Sequence, residues 1–202
     1  MKISDNSFST EILNYLPPIN TYVDPPSKKN LVNLLENDFR IEKVSAESNF
    51  IDVKYLGSSF SSKKLNLLLK VSENIQRLDL SNIDLTSVNI SKLKEFKNIK
   101  YLNLSKTNLS GKNLEILPEN LELLIINSNP IKAPQLIKIA NNPFIKKIFA
   151  YNTVNDEELE KSLSSETNNK LFFGMSLKDF SSLQGFPLEK PIIEANGIEV
   201  NP

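Results

Sequence analysis

The chain has 202 residues, with 24 basic and 24 acidic residues, a formal net charge of zero, and neither cysteine nor histidine. This length fits one domain with small flanking elements. The missing residue types exclude disulfides, thiolate or imidazole metal sites and the Ser-His-Asp triad, so we expect no metal and no cofactor. A zero charge balance also argues against nucleic acid or an anionic membrane surface as the partner.

The N-terminal sequence bears on location. Residues 1–20 contain one lysine and no apolar stretch of the kind found in signal peptides. A run of about 18 apolar residues, which a membrane-spanning helix requires, occurs nowhere in the sequence. We therefore expect a cytoplasmic protein without a membrane span.

Residues 1–48 contain two groups of apolar residues at helical spacing. The first ends at Pro17-Pro18, and the second begins after Pro25-Pro26-Ser27 and comprises Leu31, Leu34, Leu35 and Phe39. We interpret this region as a helical N-terminal capping region. As an alternative, residues 11–17 (Glu-Ile-Leu-Asn-Tyr-Leu-Pro) resemble the opening helix of an F-box. That resemblance implies an adaptor that links a substrate to a ubiquitin ligase scaffold.

Residues 49–173 contain a repeated pattern. Segments beginning at Ile75, Ile99, Leu121 and Ile145 are 24, 22 and 24 residues apart, and each has apolar residues at positions 1, 4 and 6. A looser copy begins at Phe50. Alternation of positions 4 and 6 is typical of a strand with one buried face. The residues predicted to be buried in this way are Leu78, Leu80, Leu102, Leu104, Leu124 and Ile126. A further strand is predicted at residues 171–173.

Helices are predicted between the strands. Ile90, Leu93 and Phe96 have helical spacing, and a second helix follows Pro134. A third is predicted to begin at residues 155–158, where Asn-Asp-Glu-Glu supplies a cap and acidic residues. One strand and one helix in about 24 residues cannot bury their own apolar face, so the copies must stack.

The segments IQRLDLSNIDL, IKYLNLSKTNL, LELLIINSNPI and IKKIFAYNTVN resemble the leucine-rich repeat, whose core pattern is LxxLxLxxNxL. The resemblance implies an α/β fold, a short right-handed solenoid of about five to six repeats with parallel strands on a concave face and helices on a convex face. In the family, the position-9 asparagine bonds the backbone of the turn. Here that residue is Asn129, whereas Ile83, Thr107 and Thr153 occupy the position in other copies. At Ile83 the resemblance implies a looser or differently bonded turn.

Residues 174–202 contain several prolines and glycines and follow no helical period. We expect an extended C-terminal flank that lies against the last repeat.

Three kinds of chemistry require neither histidine nor cysteine. Glu157 and Glu158 are a candidate carboxylate pair, but neighbours on a helix point in different directions. Ser105 and Lys106 are a candidate nucleophile and base, but neighbours on a strand face opposite sides. Residues 110–113 lack the first glycine and the hydroxyl of a phosphate loop. We therefore expect a protein that is not an enzyme, and an enzyme using carboxylates is the weakest alternative.

The predicted concave face carries positions 3, 5 and 7 of each copy. Adjacent strands lie about 5 Å apart, so the large apolar side chains on this face should form one patch. Exposed apolar patches with a polar rim, and aromatic residues beside arginine, are typical of partner surfaces. The residues predicted to bind a protein are Arg77, Asp79, Tyr101, Asn103, Leu123, Ile125, Lys147, Phe149 and Tyr151. In an alternative interpretation, residues 175–202 fold back over this patch.

The sequence thus predicts a non-catalytic interaction module that binds another protein through its concave face. The segment Pro118-Glu119-Asn120-Leu121 resembles repeats of bacterial effectors, and the Lys-, Asn- and Ile-rich composition is typical of an AT-rich genome. Both features favour a microbial protein, and by analogy at the level of the fold an effector in the host cytosol.

Overall fold

The computed structural model describes residues 23–115, 117–153 and 171–172. In this part of the chain, seven strands form one open sheet in which the strands follow one another in chain order. The strands are β1 (Phe39–Lys43), β2 (Ile51–Tyr55), β3 (Ile75–Asp79), β4 (Tyr101–Asn103), β5 (Leu123–Ile125), β6 (Lys147–Phe149) and β7 (Leu171–Phe172). The pair β1–β2 is antiparallel and all the other pairs are parallel. The fold is therefore α/β with a mostly parallel sheet.

The connections between strands contain short helices. The α-helices are α1 (Lys28–Leu35), α2 (Ser62–Leu69) and α3 (Ala133–Ala140), and two 3-10 helices span Ile90–Glu95 and Gly111–Glu115. The helix predicted after Pro134 is confirmed as α3. The predicted helix at Ile90 is a 3-10 helix, which begins where the Asn89 side chain accepts hydrogen bonds from the Ser91 amide and hydroxyl. The helix predicted from residue 155 lies outside the described residues.

The predicted helical cap is only partly correct. Helix α1 begins where expected, since the Ser27 hydroxyl accepts a hydrogen bond from the amide of Asn30. Phe39, however, belongs to strand β1, because Asp38 adopts a left-handed backbone conformation (φ 65°) that ends the helical path. Phe39 and Ile41 are buried and alternate with polar residues, as in a strand with one buried face. The F-box-like residues 11–17 and the C-terminal flank 174–202 lie outside the described residues.

The core lies between one face of the sheet and the helices. The six residues predicted to be buried at positions 4 and 6 are each at most 1% exposed, which confirms the predicted register (Leu78, Leu80, Leu102, Leu104, Leu124 and Ile126). From the other side, helices contribute buried residues such as Leu34, Leu68, Leu93 and Leu136. Each Å² of apolar surface that is buried contributes about 25 cal/mol, so this layer is the main source of stability.

The same turn follows strands β3 to β6. Position 8 of each copy has a left-handed backbone, with φ of 62°, 54°, 55° and 54° at Asn82, Lys106, Ser128 and Asn152. In the first three, the amide at this position donates to a carbonyl of the next copy, at 2.9, 2.9 and 2.8 Å. Repetition of the sequence pattern is therefore matched by repetition of backbone conformation and hydrogen bonding.

Asn129 bonds the turn of the neighbouring copy as well as its own. Its Nδ2 donates to the carbonyls of Leu104 (2.6 Å) and Ile126 (2.9 Å), and its Oδ1 accepts from the amides of Thr107 (3.0 Å) and Leu109 (3.2 Å). At the equivalent position, the hydroxyls of Thr107 and Thr153 donate to carbonyls three residues earlier in the chain, at 2.7 and 2.5 Å. Ile83 has no such group and is buried instead. Its turn is bonded instead by the amides of Asn82 and Leu85, which donate to carbonyls of the next copy, and by the Asp79 side chain, which accepts from the amide of Ser81.

A row of asparagines lies at the other ends of the strands, away from the turn that contains Asn129. Asn49, Asn74, Asn98 and Asn120 each precede position 1 of a copy, and their side-chain amides donate to the carbonyls of Val23, Asn49, Glu73 and Lys97. These distances lie between 2.7 and 3.1 Å. In the next copy Phe144 takes the place of the asparagine, and its side chain is exposed. The row therefore links successive copies and ends at Phe144.

Candidate functional site

The face of the sheet opposite the core, which we call the second face, carries positions 3 and 5 of each copy. The strand register aligns Asp52, Arg77, Tyr101, Leu123 and Lys147 in one row. It aligns Lys54, Asp79, Asn103, Ile125 and Phe149 in a second row. Both rows match the rows expected from the repeat. The residues predicted to bind a partner are thus brought together on one surface.

The exposure expected for this surface is wrong at three residues. Asp79 is 5% exposed. Ile125 and Phe149 are 1% and 2% exposed, so they are not available as anchors for a partner. Each follows a core residue in its strand, Leu124 before Ile125 and Ile148 before Phe149, so it points to the opposite face of the sheet. Ile125 and Phe149 do not belong to the core cluster. They are therefore buried on the second face itself, where removal from water is favourable for large apolar side chains. The cover suggested from the sequence, residues 175–202, lies outside the described residues.

Other predicted residues of the second face remain accessible. Tyr101, Asn103 and Leu123 are half-buried, and Lys147 is exposed. At position 7, beyond the end of β6, Tyr151 is 42% exposed. The accessible part of the patch is therefore centred on Tyr101 and Leu123, with Arg77 beside them in the same row.

Strands β1 to β3 give the second face a charged half. Between described residues of this half, ion pairs join Arg40 and Glu42 at 3.4 Å, Lys54 and Asp79 at 3.6 Å, and Arg77 and Asp52 at 3.8 Å. These separations exceed a normal N–H···O distance, so the pairs are loose electrostatic contacts. In each pair the basic side chain is the more exposed partner.

Asp52 is the most perturbed carboxyl group of the second face. Burial raises its pKa to about 7, the charge of Glu42 acts in the same direction, and Arg77 lowers it. Its Oδ1 is buried and makes no hydrogen bond. The register shifts between Ile51 and Asp52, which leaves Gln76 as an extra residue in β3, and Gln76 Oε1 is also buried without a partner. Carboxyl groups with strongly perturbed pKa values cluster at functional sites, which makes Asp52 a candidate functional residue.

Arg77 and Tyr101 lie side by side at the centre of the second face. In the described part of the chain, the Arg77 guanidinium makes no hydrogen bond, and its contact with Asp52 is the 3.8 Å ion pair. Burial raises the pKa of the Tyr101 phenol, and the charge of Asp79 adds to this effect, so the phenol is neutral at physiological pH. A planar cation with unused donors next to an aromatic ring is a common arrangement in binding surfaces.

Of the candidate catalytic groups, Ser105 and Lys106 lie in the turn after β4. The Ser105 hydroxyl donates to Asn103 Oδ1, and Lys106 is the left-handed residue of the turn. Gly111 lies so close to Gln135 of α3 that an added Cβ would meet Gln135 atoms within 2.4 Å, which places this stretch against a helix. Glu157 and Glu158 lie outside the described residues.

The described residues lack two features that would indicate other functions. In residues 23–115, 117–153 and 171–172 no cluster of three acidic side chains is placed to hold a metal ion. Among the helices described, none has the length and apolar character needed to cross a membrane.

Comparison with protein-family models and with curated proteins finds no match for this chain. A functional proposal must therefore depend on the repeat and on the second face.

Sequence reasoning missed the β1 part of the second face. Arg40 and Glu42 lie opposite Lys54 and Asp52 in the antiparallel pair, but this stretch was predicted to be helical. The available signal was the alternation of Phe39, Arg40, Ile41 and Glu42, which has the period of a strand.

Proposed function

We propose that this chain is a short right-handed solenoid of the leucine-rich-repeat kind and acts as a non-catalytic protein-interaction module in the cytoplasm. The repeated strand register and the repeated left-handed turn support the solenoid. The buried Asn129, which bonds the turn of the neighbouring copy, supports the kinship with leucine-rich repeats. In such a solenoid the second face is the concave face.

The observation that carries the binding function is the row Arg77, Tyr101 and Leu123. These side chains are half-buried, lie on three adjacent strands in register, and face away from the core. A partner that covers them would remove a tyrosine ring and a leucine from water and gain about 25 cal/mol per Å² of apolar surface. Tyrosine and arginine are also the residue types that contribute most to interface energy.

The sequence features of bacterial effector repeats extend the proposal to a microbial protein that binds a host protein. This part rests on the Pro118-Glu119-Asn120-Leu121 segment and on the composition. The described residues of the second face are the surface on which such a protein would be bound.

The test is a selection of random peptides displayed on phage against the full chain, since it requires no known partner. Selected peptides should bind wild type and lose about 1–3 kcal/mol of binding free energy with Tyr101→Ala. Leu123→Glu should weaken binding at least as much because it places a charge in the apolar contact. Lys112→Ala, which removes an exposed charge from a 3-10 helix on the core side of the sheet, serves as the matched control.

Peptides that bind Leu123→Glu and wild type equally well would contradict the proposal, provided that both proteins show the same melting temperature. In that case the binding surface lies away from the row of Arg77, Tyr101 and Leu123.

A further inference from the structure

In the charged half of the second face, each acidic side chain is less exposed than the basic side chain with which it pairs. The exposed fractions of the side chains are 41% for Arg40 against 13% for Glu42, and 31% for Lys54 against 7% for Asp79. For Arg77 and Asp52 they are 26% and 8%. The six charges sum to zero, but a molecule that approaches this face meets the cations first. The surface is therefore locally positive, although the whole chain is neutral.

Of the three basic side chains in these pairs, Arg77 lies farthest from its acidic partner. Within the described residues, its guanidinium makes no hydrogen bond, and the Asp52 carboxylate reaches it only at 3.8 Å. A guanidinium presents five N–H donors in a planar fork that fits the two oxygens of a carboxylate. A bidentate bond of this kind is short and charge-assisted, and it is stronger than the loose pair that Arg77 makes with Asp52.

We propose that the second face binds an acidic segment of its protein partner, with a carboxylate of that segment bonded to Arg77. This inference rests on the proposed function and specifies the chemistry of the partner. The neighbouring Tyr101 and Leu123 contact the apolar parts of the same segment, while Lys54 and Arg40 attract further acidic residues toward β1 and β2.

Asp52 competes with the acidic ligand for Arg77. The charged and titratable groups that surround Asp52 on this face are Arg40 and Glu42 on β1, Lys54 on its own strand, Arg77 and Asp79 on β3, and Tyr101 on β4. When Asp52 takes up a proton as the pH falls through about 7, the face loses one negative charge and Arg77 loses its counter-ion. Binding of an acidic segment should therefore be tighter at pH 6 than at pH 8.

The test measures fluorescence anisotropy of an octaglutamate peptide with the full chain at low ionic strength, where surface electrostatics are least screened. The label is tetramethylrhodamine, because its charge and emission do not change between pH 6 and 8. Wild type should bind octaglutamate but not octalysine. Arg77→Ala should weaken binding at least about fivefold, because a charge-assisted hydrogen bond contributes more than 1 kcal/mol. The affinity of Arg77→Lys for octaglutamate should lie between those of wild type and Arg77→Ala. Lys112→Ala, which removes one positive charge elsewhere, should change the affinity less than about twofold.

The pH series gives a second readout. Glutamate side chains remain ionised between pH 6 and 8, so a change in affinity over this range reports on the protein. Wild type should bind octaglutamate several-fold more tightly at pH 6. Asp52→Asn should bind octaglutamate at both pH 6 and pH 8 with the affinity that wild type has at pH 6, because an amide carries no charge. Circular dichroism at each pH checks that the variants are folded.

Several results would overturn the proposal. These are absence of octaglutamate binding by folded wild type, equal loss with Arg77→Ala and Lys112→Ala, or an unchanged pH dependence in Asp52→Asn. If peptides selected from the random library still depend on Tyr101 and Leu123 but carry no acidic residues, the acidic class is wrong and the binding function stands. If neither octaglutamate nor any selected peptide depends on the second face, both proposals are wrong.

Discussion

Replacing Asn129 by alanine should cause one of the largest losses of stability available from a polar residue of this chain. The side chain is 3% exposed. It makes four hydrogen bonds of 3.2 Å or less to backbone groups, with the carbonyls of Leu104 and Ile126 and the amides of Thr107 and Leu109, and a longer one of 3.4 Å to the carbonyl of Asn127. A net contribution of about 1 kcal/mol per hydrogen bond gives about 4 kcal/mol. Because these groups stay buried when the side chain is removed, we expect a loss of about 3–5 kcal/mol in the free energy of unfolding.

Urea unfolding followed by circular dichroism measures this loss as a shift of the midpoint at constant slope. Asn127→Ala is the matched control: Asn127 is two residues earlier and half-buried, and its Oδ1 accepts from the amide of Tyr151 at 2.8 Å. The control should lose only about 1 kcal/mol. A loss below about 1 kcal/mol for Asn129→Ala, or equal losses for both variants, would refute the view that one asparagine holds two adjacent turns together.

Four further changes test other parts of the structure. Leu102→Ala should lower the free energy of unfolding by about 2–5 kcal/mol in urea titrations, since Leu102 is fully buried, and a loss below about 1 kcal/mol would contradict the register. Phe149→Ala should cost about 3–5 kcal/mol, because this ring is buried on the second face, and an unchanged melting temperature would show that it is not covered. Phe144→Asn should raise the free energy of unfolding by about 0.5–1.5 kcal/mol, because the new side-chain amide can donate as that of Asn120 does one copy earlier. A lower melting temperature would show that the Phe144 ring makes a stabilising contact. The pKa of Asp52 is about 7 in the folded state against an ordinary value of 3.8, so the folded state holds the proton more tightly than the unfolded state. The free energy of unfolding should therefore fall as the pH rises from about 4 to about 7, by up to about 4 kcal/mol at 1.36 kcal/mol per pH unit. Asp52→Asn should flatten this dependence, and an equal slope in both proteins would assign it to other groups.

The rows of the sheet were predictable from sequence because the repeat fixes them. An apolar residue at positions 4 and 6 of every copy allows only one alignment that buries all of them, and a slip of one residue would expose Leu102 and Leu104. The alignment of Arg77 with Tyr101 and Leu123 then follows without further information. Long-range register is normally hard to predict, but stacking of similar copies turns it into a local property.

Burial on the second face was not predictable in the same way. Ile125 and Tyr101 occupy neighbouring strands of one face, yet Ile125 is buried and Tyr101 is half-buried. Exposure there depends on what packs over the sheet, and the repeat pattern contains no information about that. For the same reason the sequence did not reveal that Asp52 is buried, because an aspartate at a strand position is normally solvated.

Strand β1 was missed because two periods compete over a short stretch. Leu31, Leu34, Leu35 and Phe39 have helical spacing, but Phe39 and Ile41 also have strand spacing. The left-handed Asp38 decides between them, since it stops the helix before Phe39 and lets the chain return antiparallel to β2. The row of asparagines was visible in the sequence as Asn49, Asn74, Asn98 and Asn120. Its role depends on contacts between copies, which a single copy does not show.

NMR chemical-shift mapping would test most directly whether the second face binds the partner. Backbone amides of the isotope-labelled full chain are followed while a peptide selected from the random library is added. Binding through the second face predicts that the largest shifts occur in β3 to β5, centred on Arg77, Tyr101 and Leu123, with little change at α2 or at the 3-10 helix Gly111–Glu115. Shifts concentrated on those helices, with the second face unchanged, would contradict the proposed function.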